Sequence, residues 1–161
     1  MRATTAPLHT LGGTGTGAKT PVVNAQATKA PLLNHAVLDK LRTDFEDYED
    51  YEDYEDVWRV FSRNFITALP LRIDRLRVAL TTGDLPDAID ALLSLKSASQ
   101  QVGAERLAAL TLDLEMAVRE GTRDRDPSGI LPWLAAEHLP RIRQCAGQTS
   151  YILEAHLNKA P

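Results

Sequence analysis

The sequence predicts an all-α protein: an antiparallel up-and-down four-helix bundle with an additional N-terminal helix and a disordered N-terminal tail. Three observations predict it. The chain is 43% hydrophobic but only 6% aromatic, Leu and Ala dominate, and β-branched runs are scarce, which favours helix over strand. Apolar residues recur at three- and four-residue spacing through most of the chain after residue 31, the period of an amphipathic helix. Short glycine-containing or polar breaks separate these stretches, and short connections join antiparallel neighbours. At 161 residues a single core suffices, so one domain is the natural reading.

Residues 1–30 are rich in Thr, Ala and Gly with no apolar period. They are expected to be a disordered tail, because they bury too little to offset the entropy of ordering. The bundle is expected over 31–158. Its first helix starts at Asn34, a suitable N-cap, and carries Val37, Leu38, Leu41 and Phe45 at helical spacing. An acidic insertion, 44–56, follows. The next helix runs from about Val57 to Leu80, with Phe61, Phe65, Leu69, Ile73, Leu76 and Leu80 on one stripe. Pro70 predicts a kink there and not an end, since the period continues through it. Gly83-Asp84 stops this helix and caps the next. That third helix spans Leu85 to Val102 and is punctuated by Gly103. A fourth, Glu105 to Glu120, carries Leu107, Leu110, Leu114 and Val118. After a polar turn from Gly121 to Gly129 comes a last helical stretch, Ile130 to Leu157. With Pro132 and Pro140 in it, the pattern fits two pieces as well as one.

The net charge of −4 conceals a segregation. Nine of the 22 acidic residues lie between Asp44 and Asp56, leaving 13 against 18 basic residues elsewhere. Those basic residues are scattered and not interleaved with aromatics, which gives nucleic-acid binding little support. The single cysteine, Cys145, can form neither an internal disulfide nor a metal site by itself, so a reducing cytoplasm is the expected setting. No apolar run approaches the ~20 residues of a membrane span, and the N-terminus lacks the apolar core of a secretory signal.

Several motifs invite a functional reading and do not sustain it. Gly13 to Thr20 nearly spells a phosphate-binding loop, but Ala18 replaces the glycine before Lys19, no strand precedes it, and Pro21 follows. The tandem Tyr-Glu-Asp repeat over Glu46–Asp56 could be an acidic dock for a basic partner or a site of tyrosine modification. Its plainer reading is a solvated extension between helices. It lacks the glycine and alternating ligands of a calcium loop. His9, His35, His138 and His156 are dispersed, no metal-ligand spacing exists, and no nucleophilic triad suggests itself, so no cofactor or metal is implied. Trp58 and Trp133 fall on apolar faces and read as core or rim.

The third helix is different. On a wheel of ~100° per residue, Leu85, Ala88, Leu92, Leu95, Ser99 and Val102 form the core side, and Leu93 falls roughly 140° from its centre. Asp90, Lys96, Ser97 and Gln100 lie within i±3, i±4 or one further turn of it. Leu93 is therefore expected to be an exposed leucine in a polar patch.

Leu93-Ser94-Leu95-Lys96-Ser97-Ala98-Ser99 resembles the His-Ser-Leu-Lys-Gly-Ser-Ala helix of histidine-phosphotransfer domains. Gly103-Ala104 falls where that family has Gly-Ala, ten residues after the histidine. Phe65 to Pro70, then Leu76, Ala79, Leu80 and Gly83-Asp84-Leu85, are similar to the family's preceding helix. Glu105 to Leu110 and Leu114-Glu115 are similar to its following one. The resemblance runs from about Leu32 to Gly121 and extends toward the last helix.

The resemblance implies a degenerate member. The phosphoacceptor position holds Leu93, which has no nucleophilic nitrogen, and Ser97 replaces a glycine. Such a domain would dock a response-regulator receiver domain or a histidine kinase through Asp90, Leu93, Lys96, Ser97 and Gln100, without relaying phosphate. Lys96 would supply a charge toward the partner's acidic pocket. Two alternatives stand beside this: phosphotransfer through another histidine, His138 or His156, or a purely structural, self-associating bundle. The sequence leaves the oligomeric state open.

Overall fold

The computed structural model describes residues 25–43 and 54–159. Every element in them is helical: α1 (Ala25–Lys29), α2 (His35–Thr43), α3 (Tyr54–Thr81), α4 (Leu85–Gln101), α5 (Glu105–Gly121) and α6 (Pro127–Lys159). The four long helices form the up-and-down bundle. α4 packs between α3 and α5, and α6 closes the ring by packing against both. The core is one cluster built from the helix-period leucines, including Leu76 and Leu80, Leu92 and Leu95, Leu107 and Leu114, and Leu131 and Leu153, all inaccessible to solvent.

The junctions follow their residue chemistry. Gly83 takes φ +72° at the end of α3, and the Asp84 side chain then accepts a hydrogen bond from the Asp87 amide at 3.1 Å, capping α4. Gly103 takes φ +76°, and a Cβ on it would stand 2.8 Å from the Asn34 carbonyl oxygen. That close approach lets the Asn34 amide donate to Gly103 O at 2.7 Å. Asn34 in turn caps α2, its Oδ1 accepting from the Ala36 amide at 3.0 Å.

Several expectations are corrected. The last helix is one piece through Pro132 and Pro140, and it begins at Pro127 instead of Ile130. A helix-interior proline costs roughly 3 kcal/mol, but Leu131, Leu134, Leu139 and Ile142 are buried beside the two prolines, at roughly 1.5–3 kcal/mol each. Burial wins. In the expected tail, residues 1–24 lie outside the described residues. Ala25–Lys29, however, is helical, with Ala27 only 4% exposed against the core. A stretch this short has no readable period, and tertiary contact decides its state. Of the acidic insertion, residues 44–53, with Phe45, also lie outside the described residues. Residues 54–56 belong to α3, which starts three residues before the expected Val57. Phe61 is at the edge of the core, with Ser62 buried in its place, and Trp133 is exposed while Trp58 is buried.

Candidate partner-docking face

α4 presents two opposed sides. Ala88, Ala91, Leu92, Leu95 and Ser99 are buried, and the Ser99 hydroxyl donates to Leu95 O at 2.7 Å, so its burial leaves no polar group unsatisfied. Asp90, Leu93, Ser97 and Gln100 are on the opposite side, facing outward. Leu93 is 38% exposed. Of the five residues expected on this patch, four face outward. Lys96 does not. Its side chain is 21% exposed and turned along the surface toward α5.

Two polar seams frame the face. On the α3 side, Arg75 bridges Asp87 at 2.7 Å and Asp90 at 2.5 Å, and Arg72 Nη1 donates to the Ser94 hydroxyl. On the α5 side, Lys96 Nζ donates to Glu115 Oε1 at 2.7 Å and Arg119 Nε donates to Glu115 Oε2 at 3.0 Å. Burial alone pushes the Glu115 carboxyl up. The hydrogen bonds and charges of Lys96 and Arg119 outweigh it and hold the group below the ordinary value. Lys96, to which the resemblance gives a charge toward the partner's acidic pocket, is thus ion-paired within the protein. The cause is Glu115, a carboxylate 10% exposed on the neighbouring helix and within hydrogen-bond reach of the ammonium.

Sequence reasoning missed the apolar flanks. Leu71 on α3 is 72% exposed, and Leu112 and Met116 on α5 are 43% and 60% exposed. All three fall off the core stripes of their helices, a signal that the helical period itself carries. Leu71 borders a shallow groove of about 200 Å³ floored by Ala68 and Ala91 and edged by Arg72, Arg75 and Ser94. Leu112 and Met116 sit one turn apart on α5, displaced toward solvent from Glu115 on the helical wheel.

The histidines are elsewhere. His138 is 6% exposed in α6, where burial pushes its pKa down. The His156 ring lies 5.7 Å from those of His35 and Trp58. Among the described residues, no group of three or more His, Cys, Asp or Glu is placed to hold a metal ion, and no helix is long and apolar enough to cross a membrane.

Comparison with known proteins bears on the family and the fold. The Hpt domain family model matches residues 60–149, a span that takes in α4, α5, most of α3 and over half of α6. The chain therefore belongs to the Hpt domain family, the phosphotransfer carriers of two-component phosphorelays. It is similar in fold to the crystal structure of histidine-containing phosphotransfer protein B from Pseudomonas aeruginosa PAO1. That match has a TM-score of 0.63 and 23% sequence identity, covering 82% of this chain and 99% of that one. No curated protein sequence matches.

Proposed function

We propose that this chain is a pseudo-histidine-phosphotransfer domain: it docks a receiver domain of a response regulator, or the histidine kinase itself, in the cytoplasm and relays no phosphate. The observation that carries this reading is Leu93. It occupies the place that the resemblance assigns to the phosphoacceptor histidine, at the centre of the outward face of α4. A leucine there cannot accept a phosphoryl group, but it adds exposed apolar area between two packed helices, of which α3 also exposes Leu71 and α5 Leu112 and Met116, as suits the centre of a protein interface. Phosphotransfer through another histidine is disfavoured. His138 is buried in α6, across the bundle from α4, and His156 is engaged with the rings of His35 and Trp58.

Two measurements test the reading together. The native protein, mixed with phosphorylated receiver domains and kinases of its source organism, is expected to acquire no acid-labile phosphate. In titration calorimetry against the same receivers, Leu93→Asp should weaken binding at least about tenfold, since burying one leucine is worth roughly 1.5–3 kcal/mol. Labelled histidine would overturn the non-relaying assignment, and equal binding by the mutant would overturn the docking face.

A further inference from the structure

Resting on the docking role just proposed, we infer that Arg72, with Ser94 beside it, is the anion-recognition point of this face and takes a carboxylate of the docked receiver domain. The groove between α3 and α4 is where that carboxylate enters.

The inference comes from following each cation around Leu93 to its partner. Lys96 and Arg119 share Glu115, and Arg75 is held by both Asp87 and Asp90. Arg72 is the cation of this face that the described residues leave without a carboxylate. Its Nη1 donates to the neutral Ser94 hydroxyl, and its Nε is buried with no acceptor. A guanidinium carries five N–H donors and no acceptor; beyond Nη1 and the buried Nε, Nη2 stays open to solvent, where an incoming carboxylate can reach it. The space beside it suits an incoming side chain. The groove of about 200 Å³ is floored by Ala68 and Ala91, which project little, and is edged by the exposed Leu71.

Chemistry also selects among the cations. A planar guanidinium matches a carboxylate through two parallel N–H donors, a fit that an ammonium lacks. Asp87 and Asp90 would repel an incoming carboxylate, and Arg75, which engages both, offsets one of their two charges. The partner group is thus an Asp or Glu at the rim of the receiver's docking surface. Arg72 does for this chain what the resemblance had assigned to Lys96.

The test uses the full chain and the receiver that binds best in the titrations above. Association rates are measured over a range of ionic strengths for native protein, Arg72→Gln, Arg72→Lys and Arg119→Gln. Glutamine retains a donor for Ser94, so the fold is expected to hold, and equal thermal midpoints verify it. Arg72→Gln should slow association about five- to tenfold and flatten its dependence on salt. Arg72→Lys should recover part of the rate, and Arg119→Gln should leave it within about twofold. Arg72→Glu should be rescued by replacing one acidic residue of the receiver with lysine. If native protein binds a receiver and Arg72→Gln matches it at every salt concentration, the assignment of Arg72 fails while the docking face stands. If native protein binds no receiver, both fail.

Discussion

The Lys96–Glu115 pair provides the sharpest test of how the face is held. Replacing Lys96 by Met removes the ammonium and keeps the stem, and Glu115→Gln removes the charge and keeps the shape. The two side chains are 21% and 10% exposed, between a surface pair, worth roughly 0.2–1 kcal/mol, and a buried pair, whose rupture costs roughly 3–5 kcal/mol. Arg119, 54% exposed, remains to partner Glu115 when Lys96 is lost, which lowers the cost of that mutation. Lys96→Met should therefore cost about 1 kcal/mol and Glu115→Gln about 2 kcal/mol, with a coupling of about 1 kcal/mol in the double mutant. For a chain of this size those losses correspond to about 2–4 °C per kcal/mol in thermal midpoint. The sign of the pH dependence follows from the lowered folded pKa of Glu115. Its contribution is fully present above the ordinary carboxyl value of 4.5 and is lost as pH falls through the folded value. Thermal unfolding of the four proteins between pH 3 and 8 measures both quantities. The reasoning is refuted by a coupling within about 0.3 kcal/mol of zero, together with a stability difference between native protein and Glu115→Gln that ignores pH.

Two further predictions concern the junction that carries α1 and α2. Gly103→Ala should lower stability by about 2–4 kcal/mol, combining the left-handed backbone penalty with loss of the Asn34–Gly103 hydrogen bond; a midpoint drop below about 2 °C in calorimetry would count against it. Deleting residues 1–24 should leave the midpoint unchanged. Deleting 1–34 should lower it by about 10 °C, because Ala27 and Leu33 are buried and the carbonyls of Ala30 and Pro31 accept from the Arg106 side chain and amide.

Helices α3, α4 and α5 were legible because each keeps an apolar period for at least four turns and ends at or just before a glycine, Gly83, Gly103 or Gly121, whereas α6 runs on through two prolines and starts three residues before the expected Ile130. The exposure of Leu93 followed from the same wheel. What the sequence hid depended on other elements. Helix α1 has five residues and is held by contacts more than 70 positions away, such as Arg106 to Ala30, which no local pattern announces. Lys96 reads as a free surface cation on its own helix, and only the packing of α5 against α4 places Glu115 at its ammonium. Leu71, Leu112 and Met116 read singly as ordinary exposed residues, and only the packing of α3 and α5 against α4 relates them to Leu93.

The charges around Leu93 bear on what the face is for. A face that holds a phosphoryl group needs donors and cations free to meet the negative charge. Here Lys96, standing at the position the resemblance gives to the family's lysine, is spent on Glu115 together with Arg119, and Arg75 is spent on two aspartates. Two cations share the one Glu115 carboxylate, so a formal +1 remains in that seam, but the Lys96 ammonium itself is hydrogen-bonded to Glu115. What stays available is apolar area at Leu93, Leu71, Leu112 and Met116, and one guanidinium at Arg72. Apolar area at the centre with a single charged contact at the rim favours durable association with one orientation set by the charge. That balance supports docking over transfer, and it locates the difference in residues around position 93 as well as at it. Restoring histidine by Leu93→His alone would leave Lys96 still bound to Glu115, so the acceptor would return without its cation.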